Sequence, residues 1–496
     1  MPITRLRTLA LAALVAAAAT GCKNDLDVTN PNQPSSASFW KSSDDAVAGI
    51  NATYRALEEN GTYGRWLAFA YDIRSDIGTS PSPWPELNNF NKFSLAGDFE
   101  VNRELWQHHF QAINRANQVT QNVPGITMDP ALRDRIVGEA KFIRALLYFN
   151  LTNLFGSVPV VTTPLGTTDQ PATVGPDVIY AQIAKDLNEA IPALPQSYSG
   201  ADVGRATKGA AQALLGKAML QQRKWAEASA ALAPVISSNK YQLVANYADN
   251  FTAPGNNNAE SVFEVQFGNR STLANGVRGL NIARMVGPCG PSYCDGRPTP
   301  WYFTQFLKDS TITGQVDPRA DATLWYYKGP GTQVYNVDWK SKDRYGTDTT
   351  VVFFKKYGEY YLGLTDQDWD AGINYRVIRY ADVLLMQAEA LNEQNQPAAA
   401  LPLINQVRAR VNLKPVVAGL TQAQMRDRIL NERLLEFGLE GQRWLDLKRQ
   451  NLFADLPTLK SHDPEFNFFT TGKSELLPIP QHDLDLNPNL KQNPGW

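Results

Sequence analysis

No stretch of the chain is rich in lysine or arginine, and 47 basic against 49 acidic residues leave a formal charge of only -2 over 496 residues. The cationic footprint that a phosphate backbone requires is missing, which argues against nucleic acid as a partner. Histidine is scarce: the four are His108, His109, His462 and His482, and none is spaced to share a metal. His108 and His109 are neighbours on an expected helix, so their side chains diverge by about 100°. The P-loop, the GxSxG elbow, the HExxH pair and the dinucleotide fingerprint are all absent, so no motif carries catalysis and no cofactor or metal is called for. The longest apolar run, Leu9 to Ala19, falls well short of the roughly 20 residues a bilayer span needs.

That run has a different use. It follows Arg5 and Arg7 and precedes Ala19-Thr20-Gly21-Cys22, so residues 1–21 read as a secretory signal whose end resembles the lipobox of bacterial lipoproteins. Cys22 is the expected lipidation site, and Ala19 stands where Leu is usual three residues before it. Multiple acyl chains there would hold the protein firmly to a membrane. Residues 22–43, which include the polar, proline-bearing "VTNPNQPSSAS", read as a tether. The remaining two of the three cysteines, Cys289 and Cys294 in "GPCGPSYCDG", are expected to form a short-loop disulfide in an oxidising compartment, because zinc would need two further ligands.

Hydrophobic residues make up 43% of the chain and charged ones 19%, an ordinary globular composition with 11 Trp, 19 Tyr and 21 Phe. Apolar positions recur at helical spacing over 44–59, 99–123, 131–155, 177–194, 207–237, 378–411 and 422–450, which predicts a mostly α protein. Two of these stretches repeat each other. Gly216, Ala228, Leu232 and Val235 have the same mutual offsets as Ala388, Ala400, Ile404 and Val407, the small-residue spacing of tetratricopeptide (TPR) helix pairs. The expected organisation is a helical scaffold over 44–251, an irregular insertion with short β-type runs over 252–374, and a second helical part over 375–496.

Candidate chemistry is concentrated in two kinds of residue. In "NERLLEFGLEGQRWLDLKRQN", Glu432, Glu436 and Glu440 recur every fourth position. We read this as an ion-paired helix junction, with Arg433, Arg443 and Arg449 as the expected compensating cations, since uncompensated like charges at that spacing repel. Asp366, Asp368 and Asp370 in "TDQDWDAG" alternate like a calcium loop, but Ala371 and Val377 stand where such a loop needs Gly and Glu, so a carboxylate-rich turn is expected, with a calcium site of another geometry as the alternative. Aromatic residues in loops are the stronger signal: Trp84, Tyr293, Trp301, Trp325, Tyr326 and Tyr327 sit in Gly/Pro-rich segments. Flat rings on a rigid scaffold suit sugar faces, although most single aromatics simply fill a core.

Several segments together resemble the SusD/RagB family of outer-membrane nutrient-binding lipoproteins. They are "EAKFIRALLYFNLTNLFGSVPVV", "ALLGKAML" with "WAEA", "YRVIRYADVLLMQAEALNE", the glutamate stretch above and the ending "LLPIPQHDLDLNPNLKQNPGW", in the family's order. The resemblance implies a right-handed α-α superhelix of TPR-like pairs cradling a ligand-binding insertion. It also implies a non-catalytic, surface-exposed lipoprotein that passes oligosaccharides to a SusC-like TonB-dependent transporter. "CKNDLD" is similar to the acidic signals that send such lipoproteins to the cell surface. By position in the family, ligand contacts are expected from Arg74, Trp84, Asn88, Asn89, Trp301, Trp325 and Tyr326. Two other readings remain: a TPR-type assembly lipoprotein, and a glycoside hydrolase built on paired carboxylates.

Overall fold

A computed structural model describes residues 39–166, 168–268, 278–341, 345–364 and 367–496. The signal segment, Cys22, most of the tether and Asp366 lie outside the described residues. Ten helices carry the scaffold: α1 Ser43–Arg55, α2 Glu100–Asn122, α3 Pro130–Phe155, α4 Pro176–Ala193, α5 Lys208–Gln221, α6 Trp225–Ser237, α7 Tyr380–Glu393, α8 Pro397–Arg410, α9 Gln422–Glu436 and α10 Arg443–Arg449. The mostly α reading holds, and every periodic stretch contains the expected helix or helix pair.

Local chemistry sets several ends. Ser42 and Asp45 form a reciprocal capping box on α1, and Thr421 and Gln424 form another on α9, each satisfying N–H groups the helix cannot bond internally. Asp129 caps α3 ahead of Pro130, and the helix stops at Gly156, whose φ is 73°. From Phe142 to Phe155 every residue of α3 is buried, so this helix runs through the interior and not along its surface.

Helices adjacent in sequence pack side by side from α2 to α6, and α7 and α8 continue the stack. The step from α6 to α7 crosses some 140 residues of chain, yet these two helices lie against each other. The insertion therefore leaves the stack and returns to it. The repeat read in the sequence explains the close pairs: a Cβ on Gly216 would lie 2.5 Å from Leu232 Cγ, so only glycine lets α5 approach α6 this closely. Ala228, Leu232, Val235, Ala388, Ala400, Ile404 and Val407 are all buried in these contacts.

Short antiparallel pairs stitch the insertion in place. We label four strands: β1 Gly78–Thr79, β2 Ser261–Val265, β3 Arg297–Pro298 and β4 Tyr375–Arg379. β2 pairs with β4, joining the two edges of the insertion, and β1 pairs with β3, tying it to the loop that carries Trp84. One continuous apolar core extends from Ala46 to Leu490, so the three chain segments share a core. A satellite core of Val334, Tyr335 and Trp339 lies inside the insertion, with Trp325, Tyr327, Tyr345 and Tyr360 packed around it.

Candidate functional site

The glutamate cluster is a buried junction. Arg319 donates to Glu432 at 2.6 Å and Glu436 at 3.1 Å, and Arg408 donates to Glu432 at 2.7 Å. Arg410 and Arg379 both bond Glu436, at 2.6 and 2.9 Å, and both also bond Glu260. Arg379 and Lys356 hold Glu440, at 2.7 and 2.8 Å. Burial alone would raise the Glu436 carboxyl, but Arg410, Arg379 and Arg319 overrule it and hold that group well below the usual carboxylate range.

The expected cations serve other carboxylates. Arg433 bonds Asp382 and Asp446, Arg449 bonds Glu389 and Asp446, and Arg443 bonds Asp76 at 2.7 Å. The reason is helical geometry: Arg433 is one residue from Glu432, so it points about 100° away around α9. The true partners come from residues 319, 356, 379, 408 and 410, which no local spacing reveals.

A different arrangement lies where the Trp84 loop meets the insertion. The turn Asn60–Gly64 leaves helical geometry at Thr62, and a Cβ on Gly61 would lie only 1.9 Å from the Glu104 carbonyl oxygen. This tight turn delivers Arg65 and Trp66. Trp66 is buried, and its indole N–H donates to Glu104 at 2.6 Å. Trp84 meets it edge-on, with ring centroids 5.7 Å apart and planes at 71°. The Arg65 guanidinium lies 4.8 Å from the Trp66 ring and 4.9 Å from the Trp369 ring. Tyr293 lies 5.3 Å beyond Trp369, with Arg284 over it at 4.7 Å. The order is thus Trp84, Trp66, Arg65, Trp369, Tyr293, Arg284: rings and guanidiniums in contact along one row. Trp84, Arg65 and Trp369 are half-buried, and Tyr293 is 48% exposed.

The row is rigidly supported. Ser82 donates to the Asp295 carboxylate at 2.6 Å and Ser80 to the Asp295 carbonyl at 2.7 Å, which fastens the Trp84 loop to the loop of Tyr293. Cys289 and Cys294 are joined in a disulfide that closes that loop beside Tyr293. Arg284 donates to the carbonyls of Pro291 and Gln367, and the Gln367 N–H also donates to Pro291, so the segment before Trp369 is held to the same loop. Rings held in this way offer flat apolar faces without the entropy cost of ordering them on binding.

The residues expected from family position disperse. Trp84 lies in the row. Asn88 is half-buried and donates to the Ser80 carbonyl at 3.1 Å, which supports the Trp84 loop, and Asn89 is half-buried on the same short helix. Arg74 is enclosed instead: its guanidinium lies 4.2 Å from the Trp444 ring and donates to the Ser474 carbonyl. Burial depresses it to about 9, and its role is to pack the C-terminal segment. Trp301 stacks face to face on His462 at 3.6 Å, and His462 bonds Asp76 at 2.9 Å. Trp325 packs against the satellite core with Lys355 4.6 Å from its ring, and Tyr326 donates to Asp321 at 2.5 Å. Of the aspartates of the carboxylate-rich turn, Asp368 and Asp370 are half-buried on either side of Trp369.

Sequence reasoning missed Arg65, Trp66 and Trp369. A tryptophan beside an arginine at a turn bracketed by glycines, "NGTYGRW", was the available signal for the first two. Trp369 stood hidden between the aspartates.

Among known proteins, a family profile described as "SusD family" matches residues 237–496, and one described as "Starch-binding associating with outer membrane" matches residues 26–220. The chain is 29% identical to the SusD-like protein P25 of Formosa agariphila, over 92% of each chain. A SusD superfamily protein of Bacteroides vulgatus superposes with a TM-score of 0.83 at 27% identity, covering 92% of this chain and all (100%) of its own. A structure titled a laminarin-binding SusD-like protein superposes with a TM-score of 0.77 at 30% identity, again over 92% and 100%.

Proposed function

The chain belongs to the SusD/RagB family, and from that premise we propose that it captures oligosaccharides on the row of rings from Trp84 to Tyr293, without cleaving them. The observation that carries this reading is the row itself: aromatic faces of graded exposure, locked by a disulfide and by serine–aspartate bonds, at the seam between scaffold and insertion. Sugar rings present C–H faces that stack on such surfaces and hydroxyls that bond the polar rim. The laminarin-binding relative and the starch-binding profile support a glycan as the ligand class. The insertion over 252–374 supplies Tyr293 and Trp369, and the helical parts over 44–251 and 375–496 hold it.

Binding without cleavage fits the carboxylates. The buried acidic cluster around Glu436 is saturated by four arginines and a lysine, so its members are not available as acid or base. Asp72 is raised to about 7 by burial but is wrapped by the backbone N–H groups of Gly441 and Arg443, inside the core. In our reading Cys22 carries a lipid anchor at the outer membrane, the body faces outward, and the glycan passes to a SusC-like TonB-dependent transporter. The outer-membrane association in the profile's description supports this placement.

Titrating the full chain with a panel of neutral and charged oligosaccharides tests the reading. Binding is expected for at least one glycan, with no new reducing ends released and with affinity clearly weakened in Trp369→Ala. Release of reducing sugar, or binding indifferent to Trp369, would overturn it. Affinity purification from membranes is expected to recover a TonB-dependent transporter, and recovery of assembly machinery without one would contradict the delivery step.

A further inference from the structure

Arg65 is the element of the row that a purely neutral sugar surface does not require. Its guanidinium has five N–H donors in one plane. Among the described residues, no oxygen accepts from any of them, and Nε is shielded from solvent without a partner. Every arginine of the Glu436 junction, by contrast, bonds at least two carboxylates. The carboxylates nearest Arg65, Glu104 and Glu100, pull on it only through space, and one Glu104 oxygen is already taken by the Trp66 indole. Burial lowers the affinity of Arg65 for its proton, yet the group remains a cation at neutral pH. The two indole faces fix the guanidinium plane in advance and leave its edge as the part that can bond.

We propose that Arg65 is an anion-selecting residue of the row, and that the glycans this protein prefers carry carboxylate or sulfate groups. Both groups present two oxygens at the spacing of a guanidinium edge, so a bidentate contact forms with little further loss of side-chain entropy. The flanking rings that reach solvent, Trp369 and Tyr293 on one side and Trp84 on the other, stack the sugars next to the charged one, and the buried Trp66 backs Arg65 and Trp84. The proposal rests on the row being a glycan surface.

The test uses the full chain and two matched probe pairs: a homo-oligouronate with its carboxyl-reduced neutral counterpart, and a sulfated oligogalactan with its desulfated counterpart, each titrated by calorimetry. Laminarin oligosaccharide serves as a neutral control. In at least one pair the charged member is expected to bind tenfold or more tighter than its neutral partner. Arg65→Gln is expected to erase that preference and Arg65→Lys to keep part of it, because lysine retains the charge but loses the fork. Thermal melts of both variants check that each is folded, and the lysine variant keeps the comparison open if the glutamine variant is not. Equal binding within both pairs, or a preference that survives Arg65→Gln, overturns the inference. Binding of laminarin alone also overturns it while leaving the aromatic row standing as a glycan surface. Binding of none of the five probes removes both.

Discussion

Around Glu436, arginines and carboxylates enclose one another and each charge has its partners; around Arg65, two indoles enclose a cation that bonds no anion. Both regions are built from the same residue types, on the same scaffold. What separates them is whether each charge is already satisfied inside the fold. A buried and saturated charge network is committed to folding, because removing one member strands its partners in a medium that penalises them. A half-exposed, unbonded charge on preformed rings is committed to nothing within the molecule, and it is available to a ligand.

The strongest way to break this contrast is to remove a network cation. Arg379→Ala leaves Glu260, Glu436 and Glu440 short of a partner at once. A loss of about 3–5 kcal/mol is expected in urea unfolding, with glycan affinity unchanged in the fraction that stays folded.

Acid comes next. Asp76 and Asp382 are each buried, which alone would raise them, but Arg443 holds the first and Lys217 with Arg433 the second at about 2 against an ordinary 3.8. Their stabilisation is present above pH 3.8 and is lost as pH falls towards 2, by about 2 kcal/mol each at most. Asp72 runs the other way: the folded state binds its proton at about 7, the unfolded chain only near 3.8, so this group adds stability as pH drops between those values. The melting temperature is therefore expected to hold or rise from pH 8 to 5 and to fall below pH 4. Affinity for a glycan should not follow that curve.

Smaller and opposite in kind is the effect of the rings. Trp369→Ala is expected to weaken glycan binding by about 2 kcal/mol, the scale of an interface hot spot, with a smaller effect on the melt, since the ring is only half-buried. Tyr293→Ala should cost about 1 kcal/mol of binding, and almost no stability, because its ring is 48% exposed.

How far the sequence reached differs between the two regions for a physical reason. Helical periodicity and the small residues at 216, 228, 388 and 400 are local, and they placed the scaffold and its close pairs. The Cys289–Cys294 loop is local as well. Charge pairing is not: Arg433 sits beside Glu432 in sequence and faces Asp382 and Asp446 in space, and Arg319 arrives from over 100 positions away. The row suffered the same limit. Trp84 and Tyr293 stood out only as members of a group of aromatics in Gly/Pro-rich segments, since a single ring more often fills a core. Arg74, expected from family position, is buried against Trp444, while Trp301, Trp325 and Tyr326 are half-buried like Trp84 and contact His462, the satellite core and Asp321. Composition names the rings, and only packing decides which of them meet.

Tyr293→Ala and Glu436→Gln are each assayed for thermal stability and for affinity towards the glycan the unaltered protein binds best. We predict that Tyr293→Ala melts with the parent and binds several-fold more weakly, while Glu436→Gln melts lower and, still folded at the assay temperature, binds like the parent. Affinity that falls with Glu436→Gln at unchanged melting temperature, or that ignores Tyr293→Ala, would contradict the account.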